Sequence, residues 1–264
     1  MNDKLIELPN YGRLMVVSDL HGNLNDYEKY IDLWDCQDPD FHIVFLGDLI
    51  HSPYFNDKSV ELLDDVIEKD KKYSNFHVLL GNHEWAHIVH RDIFKNGENI
   101  REDFEYLISY KKGTIEPAIT EYIRFFKSMP FFVKTENGLF LSHAGPSRKV
   151  KSIEDFNGIF DGDYHNPILD DFLWLRPKRN LYGRRNILTD SNLYDEGDIF
   201  NFLNIVGANC MVVGHSPVDG YKQYGNQLII SSSFQTEDKV YLDIDLSKEI
   251  KHMRDLLDCI RYFD

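Results

Sequence analysis

The stretch LMVVSDLHGN, residues 14–23, sets four apolar residues, Leu14 to Val17, directly before Ser18-Asp19-Leu20-His21-Gly22-Asn23. A β-prone run that stops at polar residues and glycine reads as a buried strand whose carboxyl end opens into a loop carrying lone-pair donors. The same event recurs along the chain: Ile43 to Leu46 before Gly47-Asp48, Phe76 to Leu80 before Gly81-Asn82, Leu139 to Leu141 before Ser142-His143, and Met211 to Val213 before Gly214-His215. Between these runs, helical spacing predicts amphipathic helices at Leu24/Tyr27/Ile31/Trp34, Val60/Leu63/Ile67, Ile119/Tyr122/Phe126 and Ile199/Phe202/Val206. Later strands, near 227–230 and 239–244, lack intervening helices and point to an antiparallel portion of sheet. A C-terminal helix at about 247–262 is expected to pack without chemistry.

Strands alternating with helices, then mostly strands, predict an α/β sandwich with helices on both outer faces. With 264 residues, 42% of them apolar, and no repeat or linker, the chain reads as one domain over 1–264. Net charge −15 disfavours nucleic-acid polymers as partners. No secretory signal, membrane span, CxxC or disulfide framework is read, so a cytoplasmic protein with no membrane partner is expected. Within the acidic chain, Arg176, Lys178, Arg179, Arg184 and Arg185 form a basic cluster. It is either a phosphate-attracting patch or a solvated loop balancing nearby acids.

The polar residues at the strand ends are Asp19, His21, Asp48, Asn82, His143 and His215. Their lone pairs suit divalent metals, and strand ends are rigid enough to aim them at a common point. Asp19 and His21, one residue apart, share a side of an extended backbone and can grip one ion. Asp48 has two oxygens and can bridge; Asn82, His143 and His215 complete a second shell. Nitrogen and oxygen donors without sulfur favour Mn, Fe or Zn.

In order, Ser18-Asp19-Leu20-His21-Gly22-Asn23, Gly47-Asp48, Gly81-Asn82-His83-Glu84, Ser142-His143-Ala144-Gly145-Pro146 and Gly214-His215-Ser216-Pro217 resemble the signature of the calcineurin-like metallophosphoesterases. The likeness is to their phosphoprotein phosphatase branch, in its bacterial Ser/Thr phosphatase form, and spans about residues 13–244. It implies a four-layer αββα sandwich of two mixed sheets. It further implies Asp19, His21 and Asp48 on a first divalent or trivalent metal ion and Asp48, Asn82, His143 and His215 on a second. A hydroxide bridging the two ions would attack phosphorus in line, without a phosphoenzyme, on a phosphoprotein or small phosphomonoester substrate. His83 corresponds to the general acid, its other reading being an orienting residue. Glu84 reads as structural. Arg176, two residues after Trp174, matches a Trp-x-Arg phosphate clamp, a part that Arg184 or Arg185 could also take.

The family's second block continues to an aspartate and an arginine, whereas this chain has His51 and Ser52. His51 enters the catalytic set as a neutral hydrogen-bond partner of His83, because two charged imidazoles repel. The missing arginine removes one phosphate clamp. Three outcomes stay open: a phosphomonoesterase with an altered pH profile, a dinucleoside polyphosphate or phosphodiester hydrolase, or a catalytically weak metal-dependent binding protein. Pro217, where diester and nucleotide hydrolases often carry histidine, favours the phosphatase branch.

Overall fold

Alternation along the strands decides which side chains meet. The computed structural model of the chain describes residues 3–52, 57–178, 193–233 and 237–263. A five-stranded sheet runs in the order Ile260–Phe263, Lys239–Asp245, Arg13–Val17, Phe41–Phe45, Phe76–Val78. The last three strands are mutually parallel and the first two pair antiparallel. A six-stranded sheet runs Leu5–Leu8, Phe132–Thr135, Leu139–Ser142, Cys210–Val213, Gln227–Ile230, Tyr221–Tyr224, again mixed. Leu14, Val16, Val44 and Leu242 of one sheet share an apolar cluster with Val133, Leu141, Val212 and Leu228 of the other. Their alternate neighbours Val17, Ile43, Phe45, Phe132, Phe140 and Met211 belong to a second cluster with the helices. Two mixed sheets face each other and helices cover both outer faces, the expected four-layer sandwich.

The helices form where spacing and caps coincide. Leu24–Leu33 begins at Asn23, whose side chain accepts from the Asp26 backbone N–H, and it sets Tyr27 5.7 Å from Phe45. Ser59–Lys72 lies beside it. On the other face, Glu196–Val206 starts in a capping box at Asp195 and stops at Gly207, φ 65°. It brings Phe202 to 5.1 Å from Phe140, while Phe172 of Pro167–Trp174 lies edge-on to Phe132 at 4.7 Å. Truncating Phe132 to alanine removes a ring from this aromatic layer, a loss of about 3–5 kcal/mol.

Two expectations about local structure are corrected. The C-terminal helix is only Met253–Leu257, and Ile260–Phe263 is an edge strand on Lys239–Asp245. There it covers what would otherwise be an open sheet edge and stacks Phe263 on Tyr30 at 4.1 Å. The later strands are not simply antiparallel: Gln227–Ile230 runs parallel to Cys210–Val213 and antiparallel to Tyr221–Tyr224. No helix of the described residues is long and apolar enough to cross a membrane.

Candidate functional site

Four of the five strand ends read from the sequence open onto a single cleft of about 370 Å³, lined by Asp19, His21, Asp48, Asn82, Arg176 and His215 among others, and His143 of the fifth is buried against Asp48. Backbone hydrogen bonds stitch its loops together: His21 N to Asp48 O at 2.9 Å, Gly22 N to Leu49 O at 2.7 Å, and Gly214 N to His143 O at 3.0 Å. Asp19, His21, Asp48, His51 and His215 all have positive φ, from 37° to 67°. This corrects the extended-backbone argument for Asp19 and His21. The strand ends at Val17, and left-handed turns, disfavoured for side chains with a Cβ, re-aim the two residues instead. Gly214 is required by space: a Cβ there would stand 2.1 Å from Asp19 Oδ2.

Asp48 is the hub. Its Oδ2 lies 3.7 Å from His21 Nε2, 3.8 Å from His83 Nε2 and 3.5 Å from His143 Nε2. Donor atoms of His21, Asp48 and His83, and separately of Asp48, His143 and His215, lie within 4.8 Å of one another. Asn82 Oδ1 stands 2.9 Å from both His143 Nε2 and His215 Nδ1. Asp19 falls outside those two groups; its carboxylate accepts the His215 backbone N–H at 3.0 and 3.1 Å. Glu84 accepts from the backbone N–H groups of Asp48, Leu49 and Ile50, which fixes the loop carrying Asp48.

The proton inventory of this cluster fits a cation. His143 Nδ1 is 2.8 Å from Leu46 O and His21 Nδ1 is 3.0 Å from Ile50 O. A carbonyl only accepts, so these nitrogens carry the ring protons. Burial holds both rings neutral, His21 down at about 3 and His143 below its ordinary value. Their Nε2 lone pairs therefore face the Asp48 carboxylate and the Asn82 oxygen, an acceptor-only wall. Carbonyl-anchored imidazoles of this kind are the usual support for metal-ligating histidine. Burial also pushes Asp19 up to about 7, with the Asp48 charge adding to the rise, and raises Asp48 itself. Cations in the cleft would stabilise both carboxylates.

His83 opens the helix Asn82–Ile88, and its backbone N–H donates to Asp48 Oδ1 at 3.1 Å. Its Nδ1 is 2.8 Å from His51 Nδ1, and His51 Nε2 is 3.0 Å from His87 Nε2. A file of three imidazoles thus runs back from the cleft, His83 partly exposed and His51 and His87 buried. Arg176 Nε donates to His215 Nε2 at 3.2 Å. That acceptance and metal ligation through Nδ1 exclude each other, because a neutral ring has one proton to place. Arg179, Arg184 and Arg185 lie outside the described residues; Lys178, their described neighbour, pairs with Asp195 at 3.2 Å.

Two residues at the site escaped the sequence reading. His87 is four residues after His83, one helical turn on, a spacing that places both on one face. Lys95, which also lines the cleft, precedes Asn96-Gly97, a strong short-range hairpin signal. A larger depression of about 640 Å³, lined by Arg13, Asp243 and Arg261 among others, lies at the opposite ends of the parallel strands. There Asp243 is bound to Arg13 at 2.6 Å.

Among known proteins, the chain is similar to a serine/threonine-protein phosphatase of Caenorhabditis elegans, C23G10.1, with 23% identity over 83% of this chain and 46% of the relative. It is 26% identical to the catalytic subunit A1 of serine/threonine-protein phosphatase 2B of Saccharomyces cerevisiae, over 70% of this chain and 30% of that protein. The chain thus spans less than half the length of these relatives. In structure it resembles a protein serine/threonine phosphatase from Saccharomyces cerevisiae with a TM-score of 0.69, 18% identity, and coverage of 92% of this chain and 76% of that one. Residues 12–219 match the family Calcineurin-like phosphoesterase, whose members use divalent metal ions, and the chain belongs to that family.

Proposed function

We propose that this chain is a metal-dependent phosphomonoesterase, and that phosphorylated serine or threonine in a protein is its substrate class. The observation that carries the chemistry is Asp48 Oδ2 standing within 3.8 Å of three imidazole nitrogens, two of which have their other nitrogen anchored on backbone carbonyls. The substrate class follows the names of the Caenorhabditis and Saccharomyces relatives. Asp19, His21 and Asp48 are assigned to one ion and Asp48, Asn82, His143 and His215 to the other, with Mn, Fe or Zn suited to these nitrogen and oxygen donors. When bound, such a pair polarises phosphoryl oxygens and lowers the pKa of water enough for attack at neutral pH.

The protein's own residues do the rest. Arg176, turned from His215 into the cleft, offers a planar fork to phosphoryl oxygens. His83 presents Nε2 to the cleft and gives its proton to the departing oxygen, so that an alcohol leaves instead of an alkoxide. His51 holds the His83 ring by sharing a proton between their Nδ1 atoms. Glu84 keeps the Asp48 loop in register.

The test is hydrolysis of para-nitrophenyl phosphate and of a phosphoserine peptide with Mn²⁺. Activity is expected with the ion, absent after chelation, and lost in Asp48→Asn. Protein that stays folded and binds Mn²⁺ yet turns over neither substrate would refute the reading. Lys178, the described neighbour of the other basic residues at 179–185, is engaged by Asp195 at 3.2 Å, so nothing among the described residues favours a polyphosphate substrate.

A further inference from the structure

Among the described residues that line the cleft, Lys95 is a second cation beside Arg176. Phe94-Lys95-Asn96-Gly97-Glu98-Asn99 forms a two-residue hairpin in which Phe94 pairs with Asn99 and Lys95 with Glu98. Asn96 and Gly97 have φ of 53° and 90°, left-handed at both central positions as a tight type I′ turn requires. The hairpin base is closed by Ile100 N donating to Ile93 O at 3.0 Å, and Arg101 ties the preceding loop down through Asp92 at 2.9 Å. Lys95 is therefore carried on a pinned turn and lines the same cleft as Asp48, His83 and Arg176, with Phe94 69% exposed beside it. Its charge is felt by the site: it disfavours protonation of His21 and His83, while burial lowers its own pKa below the ordinary lysine value and Asp48 opposes that shift.

A phosphomonoester dianion approaching a chain of net charge −15 is repelled by the overall field, and cations on the cleft wall offset that repulsion. Arg176 is one. We propose that Lys95 is the second: a substrate-binding residue whose ammonium takes a non-bridging phosphoryl oxygen and thereby sets a preference for monoesters over diesters. A monoester offers three such oxygens and up to two negative charges. A diester offers two oxygens and one charge, so it gains less from a second cation. This rests on the phosphomonoesterase reading above and adds to it the residue that selects the charge state of the substrate.

The experiment compares para-nitrophenyl phosphate with bis(para-nitrophenyl) phosphate, which release the same alcohol, in the Mn²⁺-loaded protein and in Lys95→Met. Binding of inorganic phosphate is measured by calorimetry alongside. The expected result is a fall of about 10- to 100-fold in monoester kcat/KM, the scale of one charge-assisted hydrogen bond, with a smaller fall for the diester and a matching loss of phosphate affinity. Lys95→Arg retains most of the preference. An unchanged monoester-to-diester ratio with unchanged phosphate affinity overturns the proposal. If the parent protein turns over neither ester, the phosphomonoesterase reading fails, while phosphate affinity still decides whether Lys95 holds phosphate.

Discussion

Nδ1 of His51 lies 2.8 Å from Nδ1 of His83. One proton bridges the two rings, and neither brings the negative charge that a carboxylate at position 51 would. Burial, with the electrostatic influence of His143, Lys95 and Arg176 adding to it, depresses His83 to about 3, and burial holds His51 well below its ordinary value. A general acid works only while protonated, so its pKa marks where the rate falls as pH rises.

Replacing His51 by aspartate places an anion against the His83 ring and favours its protonated form. The alkaline limb of the kcat profile should then move up by at least about one pH unit, the scale on which a neighbouring opposite charge shifts a titration. The gain at neutral pH should be larger for phenyl phosphate than for para-nitrophenyl phosphate, whose better leaving group needs less protonation. Identical profiles in parent and His51→Asp proteins would remove His83 from the acid role.

Metal affinity should depend on pH through Asp19, pushed up to about 7 by burial. Below that value the unliganded carboxyl holds a proton that an ion must displace, so affinity falls as pH falls. His21, held down at about 3, adds no such dependence in this range. Mn²⁺ titrations followed by calorimetry should show roughly tenfold weaker binding for each pH unit below 7 per displaced proton. Asp19→Asn should weaken binding and flatten the dependence; a flat curve in the parent protein would contradict the assignment.

What the sequence disclosed was what is local. Each loop ending in Asp19, Asp48, Asn82, His143 or His215 follows its own apolar run, so strand, turn and donor are read from consecutive residues. Strand alternation was the wrong ground for pairing Asp19 with His21, because it cannot foresee φ of 37° and 44° beyond Val17. His87 stayed hidden because its helix begins at Asn82 itself and runs only to Ile88, too short to show a helical period. The helix Ile100–Lys112 buries only Phe104 and Ile108, too few apolar positions to stand out among its charges. The strand Leu5–Leu8 pairs with Phe132–Thr135 across more than a hundred residues, a contact no local pattern encodes.

Glu84 supports the site without facing a substrate. Both of its oxygens accept backbone N–H groups from the Asp48 loop, three bonds in all. Glu84→Gln keeps the volume but turns an amide NH₂ against at least one of those N–H donors. Leaving that buried donor unpaired should cost about 1–3 kcal/mol, and loosening Asp48 should weaken Mn²⁺ binding about 10- to 100-fold. Thermal unfolding with and without Mn²⁺ separates the two effects. A variant with the parent's Tm and metal affinity would show that the loop holds itself.

Away from the cleft, His77 Nε2 meets His42 Nδ1 at 3.1 Å with the rings stacked 5.4 Å apart. Burial first, and then His42, depress His77 to about 3. The folded protein therefore refuses a proton that the unfolded chain accepts near 6.5. Between those values the unfolded state binds more protons, so stability is lost as pH falls, at about 1.4 kcal/mol per pH unit for a single histidine. His77→Gln keeps a hydrogen-bonding partner for His42 and cannot titrate. Urea unfolding at pH 6.5 and pH 5 should show the parent losing more stability than the variant, by about 2 kcal/mol, a difference that cancels the other histidines common to both. Equal losses would mean that His77 takes up its proton in the folded state.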